Sequence, residues 1–127
     1  DIKEGAVFNE TGIIGQVVNN KSFYEVMLLT DTKSSIPLTN SKENFYCNAL
    51  GSGVSGYITC SYNQLVWSDD HELGEKFFSS GLGGIYPKGI EIGNLESKKI
   101  IDQSTTLLKI KLISNPLHSN LFGVIKL

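Results

Sequence analysis

The chain has 127 residues, 40% of them apolar and 19% charged, with a formal net charge of −2. That composition suits one ordinary globular domain or two very small ones and excludes a disordered chain. All eleven basic residues are Lys, so the guanidinium forks that read base edges and clamp phosphates are missing, which argues against nucleic acid as a partner.

Helical periodicity is nearly absent; short β-branched and aromatic runs alternate with Gly, Asn, Ser and Pro punctuation. TGIIGQVV (11–18) ends at Asn19-Asn20, and FYEVMLL (23–29) ends in the turn signal TDTKSS (30–35). NSKENFYC (40–47) is the one segment that could hold a helical turn. GSG (51–53) precedes SGYITC (55–60), and the acidic stretch SDDHELGE (68–75) separates it from a Gly cluster at Gly81, Gly83 and Gly84. GIEIGNL (89–95), TTLLKIKLI (105–113) and, after the turn signal SNPLHSN (114–120), LFGVIKL (121–127) complete the set. In TTLLKIKLI, Leu108, Ile110 and Leu112 alternate with Lys109 and Lys111, the period of a half-buried strand. The expected class is all-β. The strongest break lies near 68–84, which suggests two small barrels of about 60 residues each, contiguous or not, that are marginal alone and must pack together.

After Ser97, the lysines Lys98, Lys99, Lys109, Lys111 and Lys126 face a single acid, Asp102, and read as a solvated face and a lysine-blocked sheet edge. No apolar run reaches the ~20 residues that span a bilayer, and no signal peptide is visible. The chain opens at Asp1 without Met and reads as a piece of a longer protein.

The search for chemistry is mostly eliminative. HELGE (71–75) starts like a zinc-protease helix but has Glu75 where the second His must stand, and only His71 and His118 are available. GVSG (53–56) faintly echoes a serine nucleophile loop, yet no His precedes Ser55. A degenerate chymotrypsin-like hydrolase using Ser55 and His71 stays an alternative, as does a β-barrel module binding glycan or peptide. A hairpin centred on Ser52 sets Cys47 opposite Tyr57, three residues from Cys60. Free buried thiols are therefore favoured, and a bridge requires an irregular hairpin. SGLGGIYPKGIEIG (80–93) fails as a phosphate loop: Tyr86 replaces the last Gly of a dinucleotide fingerprint, and a strand follows where a helix N-terminus is needed. Its glycines fit positive φ, in a bend between a strand ending near Phe78 and one starting at Gly89. No catalytic, cofactor-binding or metal-binding residue is expected.

Trp67, Phe77, Phe78, Ile85 and Tyr86 gather around the break and are the candidates for partner binding, since aromatics are enriched in interface cores. Tyr86 and Ile85, on a Gly-rich turn, are expected to be exposed; the competing reading for all five is barrel core or inter-barrel packing.

The stretch SSGLGGIYPKGIEIG (79–93) closely resembles the signature of the bacterial rod shape-determining MreC family, in which Thr-Ser-Gly-Leu-Gly-Gly leads through an aromatic-Pro-Lys-Gly turn into an Ile/Val-Gly strand. TGIIGQVV is similar to the family's opening strand, with Gln16 where Arg is common. VMLLTDTKSSIPL (26–38) resembles its Leu-Leu-Thr-Asp-Pro segment, with Thr32 for Pro, and LGEKFFSSG (73–81) the approach to the signature, with Glu75 for Asp. Residues 40–72 match only loosely. The resemblance implies two small six-stranded β-barrels packed together and a non-enzymatic scaffold of the elongasome, the complex that builds lateral cell wall. It also implies a periplasmic location, with an N-terminal membrane helix and coiled coil lying outside these residues. The partners it implies are the transpeptidase penicillin-binding protein 2, MreD, RodZ, MreB and other copies of the same chain.

Overall fold

A computed structural model describes residues 5–20, 23–117 and 123–125. The described strands are β1 (Ala6–Asn9), β2 (Gly12–Asn20), β3 (Phe23–Leu28), β4 (Ser35–Asn40), β5 (Tyr46–Gly51), β6 (Tyr57–Asn63), β7 (Lys76–Ser79), β8 (Glu91–Ile100), β9 (Thr105–Leu112) and β10 (Gly123–Ile125). No helix occurs among the described residues, as the missing 3.6-residue periodicity implies. Of the run 121–127, only β10 falls within them; His118 and Lys126 lie outside.

Six strands close into an antiparallel barrel in the order β4-β5-β6-β9-β8-β7, with β7 pairing back onto β4. The other four form a sheet in the order β10-β1-β2-β3. The second six-stranded barrel is therefore not found: among the described residues the second unit is an open sheet, with β10 and β3 at its two ends. Residues 68–84 join β6 to β7 and β7 to β8, all strands of the one barrel.

Alternation builds the barrel wall. In β9, Thr106, Leu108, Ile110 and Leu112 are buried and Lys109 and Lys111 are exposed. The inward residues join Ile36, Leu38, Ala49, Ile58, Cys60, Phe77, Ile92 and Leu95 in one core, to which Ala6, Ile13 and Leu29 of the sheet side also belong. The expected lysine-blocked edge is corrected here. β9 is hydrogen-bonded on both sides, to β6 and β8, so Lys109 and Lys111 decorate the outside of a closed wall and have no edge to block. Lys109 instead lies over the Tyr57 ring, 4.3 Å from its centroid.

Two further expectations are overturned locally. Residues 41–45 form no helical turn. Asn40 accepts the Asn44 N–H (3.1 Å) and donates to its side chain (2.7 Å), and Glu43 adopts a left-handed φ of 54°, which ends any helix. The β5–β6 hairpin pairs Leu50 with Thr59 and Gly51 with Ile58, so its loop is residues 52–56 and its centre lies beyond Ser52. Cys47 and Cys60 lie beyond this two-pair ladder and are joined by a disulfide, with Cα atoms 6.2 Å apart, so neither thiol is free.

Candidate partner-binding groove

The loop between β7 and β8 is anchored before it is exposed. Ser79, fully buried, donates from Oγ to the Pro87 carbonyl (2.5 Å) and accepts the Ile90 N–H (3.0 Å), while its carbonyl accepts the Gly89 N–H (2.8 Å). The Ser80 N–H then bonds the Pro37 carbonyl of β4 (3.0 Å), so the loop starts flat against the barrel wall. Gly81, Gly83, Gly84 and Gly89 all have φ between 74° and 87°, the left-handed turn the glycine cluster predicts. At Gly81 a side chain would also meet Lys88 Cβ at 2.8 Å, so the two ends of the loop touch.

Between this loop and the outside of β4 and β5 lies a groove of about 540 Å³. Pro37, Tyr46 and Asn48 supply its floor; Ser80, Leu82 and Ile85 supply its wall. Leu82 is 59% exposed at the loop tip and Ile85 is half-buried against the core. The lining is mainly apolar, and the loop that supplies its wall is anchored at its ends by Ser79. Such a surface can hold an apolar side chain of a partner.

The five residues singled out from sequence fall in different places. Ile85 lines the groove. Tyr86 borders it but is not exposed, a correction: only 1% of its surface reaches solvent, and its hydroxyl donates to Gln16 Oε1 of β2 at 3.2 Å. Burial pushes its pKa up to about 12. The ring turns inward because Pro87 and the bonds of Ser79 draw the end of the loop back onto the barrel. Phe77 is fully buried. Trp67 is half-buried, its ring 5.5 Å from Phe45 and 6.3 Å from Tyr46. Phe78 faces a smaller hollow of about 190 Å³ beside Lys88, whose ammonium pairs with Glu43 at 3.1 Å.

Phe45 centres an aromatic cluster with Tyr62 (5.1 Å), Trp67, His71 (4.3 Å) and Phe77 (6.2 Å). His71, whose side chain is 4% exposed, meets Glu75 Oε1 through Nδ1 at 2.7 Å. Ser55 lies exposed in the 52–56 turn, so the pair required by the hydrolase alternative is separated, His71 being enclosed by rings. Tyr62 donates to Asp69, which pairs with Lys98 at 3.2 Å; burial first, then that hydrogen bond, raises the Tyr62 pKa well above the phenol range. The acidic segment is thus tied to the barrel and is not a freely solvated loop. Among the described residues no group of three His, Cys, Asp or Glu side chains could hold a metal ion.

Sequence reasoning missed Leu82, Pro37 and Tyr46. Leu82 carried a usable signal: a large apolar side chain between Gly81 and Gly83 in a tight turn has little local structure to bury it. Pro37 and Tyr46 carried none, because only tertiary folding brings β4 and β5 under the loop.

The family model for the barrel core of rod shape-determining protein MreC matches residues 2–126. The cell shape-determining protein MreC of Haemophilus influenzae is 32% identical over 101 residues, which cover 75% of this chain and 28% of that protein. The chain spans about a quarter of the length of the curated relatives it matches. The crystal structure of MreC from Pseudomonas aeruginosa superposes with a TM-score of 0.75 at 25% identity, over 89% of this chain and 72% of that one. A chain of the complex between penicillin-binding protein PBP2 and MreC from Helicobacter pylori superposes with a TM-score of 0.66 over 91% of this chain and 81% of that one. At 14% identity this is a likeness of fold.

Proposed function

Because the chain belongs to the MreC family of rod shape-determining proteins, whose barrel core it carries, we propose that it is the docking module of a non-enzymatic periplasmic scaffold. It captures and activates the transpeptidase PBP2 and links that enzyme to MreD, RodZ and MreB in the machinery that maintains rod shape. A membrane helix upstream of these residues anchors it to the inner membrane. The observation that carries the reading is the apolar groove, with Leu82 and Ile85 presented on a loop whose two ends the hydrogen bonds of Ser79 anchor to the barrel. A preordered apolar anchor site loses little conformational freedom on binding, which is what a docking surface requires. The H. pylori complex supports PBP2 as the partner class, and the disulfide supports an oxidising compartment such as the periplasm. Activation needs no chemistry from this chain: holding one conformer of the enzyme better than another shifts its population by the difference in affinity.

Calorimetric titration of the transpeptidase's periplasmic region into the chain tests the reading. Leu82→Asp and Ile85→Asp each weaken binding by about tenfold or more, because a charge replaces an apolar anchor in a desolvated site. Both variants keep the β-rich far-UV spectrum. Unchanged affinity in both would remove the groove from the interface. Tyr86→Asp does not serve as a docking test, since it places a charge in the core and unfolds the chain.

A further inference from the structure

Two loops at one end of the barrel are stitched together: the turn that follows β6 and the hairpin between β8 and β9. The Gln64 N–H bonds the Ser104 carbonyl (2.9 Å), its side-chain amide donates to the Gln103 carbonyl (3.2 Å), and its Oε1 accepts the Thr106 hydroxyl. The resulting tip carries Leu65, Val66, Ile100 and Ile101, which are between 51% and 78% exposed. Its polar backbone is closed on itself. The Leu65 N–H goes to Asn63 Oδ1 (2.8 Å), those of Val66 and Trp67 to the Asn63 carbonyl (both 3.0 Å), and that of Ile101 to the Thr105 carbonyl (2.9 Å). The Asp102 carboxylate folds back onto the N–H groups of Ser104 (2.9 Å) and Thr105 (2.8 Å). A loop in water has no need of such closure, whereas hydrocarbon offers nothing to replace water's hydrogen bonds.

A basic collar borders the tip. Lys99 precedes Ile100, and Lys109 and Lys111 continue along the outer face of β9. None of these three enters an ion pair among the described residues. β6 and β9 hold no acid, and those of β8 are engaged: Glu91 lies 4.0 Å from Lys76, and Glu96 accepts the Tyr57 hydroxyl (2.7 Å). We propose that this end of the barrel rests on an anionic lipid bilayer. Leu65, Val66, Ile100 and Ile101 dip into the boundary between headgroups and acyl chains, and the three lysines lie against the phosphates. Trp67, half-buried beside Tyr46, follows Val66 and supplies the aromatic side chain favoured at headgroup level. The collar favours lipid over a protein surface, because lysine is depleted from protein interfaces. With a net charge of −2 on the whole chain, the attraction is local to this face. In the barrel order β9 stands three strands from β4 either way round, so a chain leaning on β9 turns the groove over β4 and β5 away from the bilayer. The contact goes beyond the docking reading and does not rest on it.

The test mixes the 127-residue chain with phosphatidylcholine vesicles, with and without phosphatidylglycerol, and follows cosedimentation and Trp67 emission. The chain should sediment with the anionic vesicles, less so as salt is raised, and the emission of Trp67, the single tryptophan, should shift to the blue. Leu65→Ser with Val66→Ser should weaken that binding by about tenfold or more, since the aliphatic area that enters the interface is lost. Lys109→Glu with Lys111→Glu should weaken binding to anionic vesicles by about tenfold or more and leave the response to neutral ones unchanged. If either variant loses the β-rich spectrum, quenching of Trp67 in the unaltered chain by lipids brominated high on the acyl chain decides the question. The inference is overturned if the chain ignores anionic vesicles, if binding survives both double substitutions, or if brominated lipids leave Trp67 unquenched. Self-association without vesicles that Leu65→Ser with Val66→Ser abolishes would overturn it too and assign the tip to a second copy.

Discussion

Tyr86 ends the Gly-rich loop, yet its ring is buried and its hydroxyl donates to Gln16, so it fastens the loop to β2. Its proton is held past the ordinary tyrosine range of about 10, to about 12, and that of Tyr62 is held higher still by burial and Asp69. The consequence for stability has a definite sign. The folded chain retains both protons where the unfolded chain loses them, so their contribution is intact below pH 10 and is lost as pH rises through 10 toward 12. Alkaline titration followed at 295 nm should therefore show these two tyrosines ionising together with unfolding, in a late cooperative step. Smooth ionisation of all five tyrosines near pH 10 with the β spectrum intact would contradict their burial. Tyr86→Phe keeps the ring and removes the bond to Gln16; it should cost about 1 kcal/mol and blunt the alkaline step.

At the scale of strands and loops, Gly51 holds the end of β5 against the connection between β3 and β4. Its N–H bonds the Ser34 carbonyl at 3.1 Å, and that of Gly53 bonds the Thr30 carbonyl at 2.8 Å. A methyl group at Gly51 would overlap the Asp31 carbonyl and sit 2.7 Å from the Thr30 carbonyl carbon, all backbone that cannot swing aside. Gly51→Ala should therefore destabilise the chain by about 2 kcal/mol or more, read as a lower urea midpoint at constant slope. β9 was legible in the sequence because Lys109 and Lys111 alternate with the buried Leu108, Ile110 and Leu112, the mark of a strand with one wet face. β4 and β5 were not, and of β7 only its end near Phe78 was. Ser35–Asn40 carries Pro37 and three buried residues in a row, Tyr46–Gly51 lacks clean alternation, and Lys76–Ser79 is only four residues long. The groove was half legible for the same reason. Ile85 stands in the signature loop, while Pro37 and Tyr46 belong to the strands whose pattern is hidden, and their place under the loop is a long-range fact.

Across the whole molecule, the two sheets are too entangled to be independent. The open sheet owns a small apolar cluster of Val7, Ile14 and Val17, but Ala6, Ile13 and Leu29 belong to the barrel's core. Polar ties run the same way: Asn9 Nδ2 donates to the Asn115 carbonyl at 2.8 Å, Thr11 Oγ1 accepts the Asn115 N–H at 2.7 Å, and Tyr86 reaches Gln16. Three buried side chains stabilise by about 2 kcal/mol each, too little to order the strands around them at about 1–2 kcal/mol per residue of backbone entropy. The sheet therefore folds only on the barrel, and the barrel loses part of its core when the sheet leaves. Urea unfolding followed by Trp67 emission, which reports the barrel, and by far-UV circular dichroism, which reports both sheets, should give one coincident transition. A far-UV loss that precedes the Trp67 change would mean that the sheet melts from a standing barrel. The groove would then sit on an autonomous module, because its lining comes entirely from barrel strands and the loop between β7 and β8. With a coincident transition, a substitution in the sheet such as Ile13→Ala, costing about 2–5 kcal/mol, lowers the population of the docking surface without touching it.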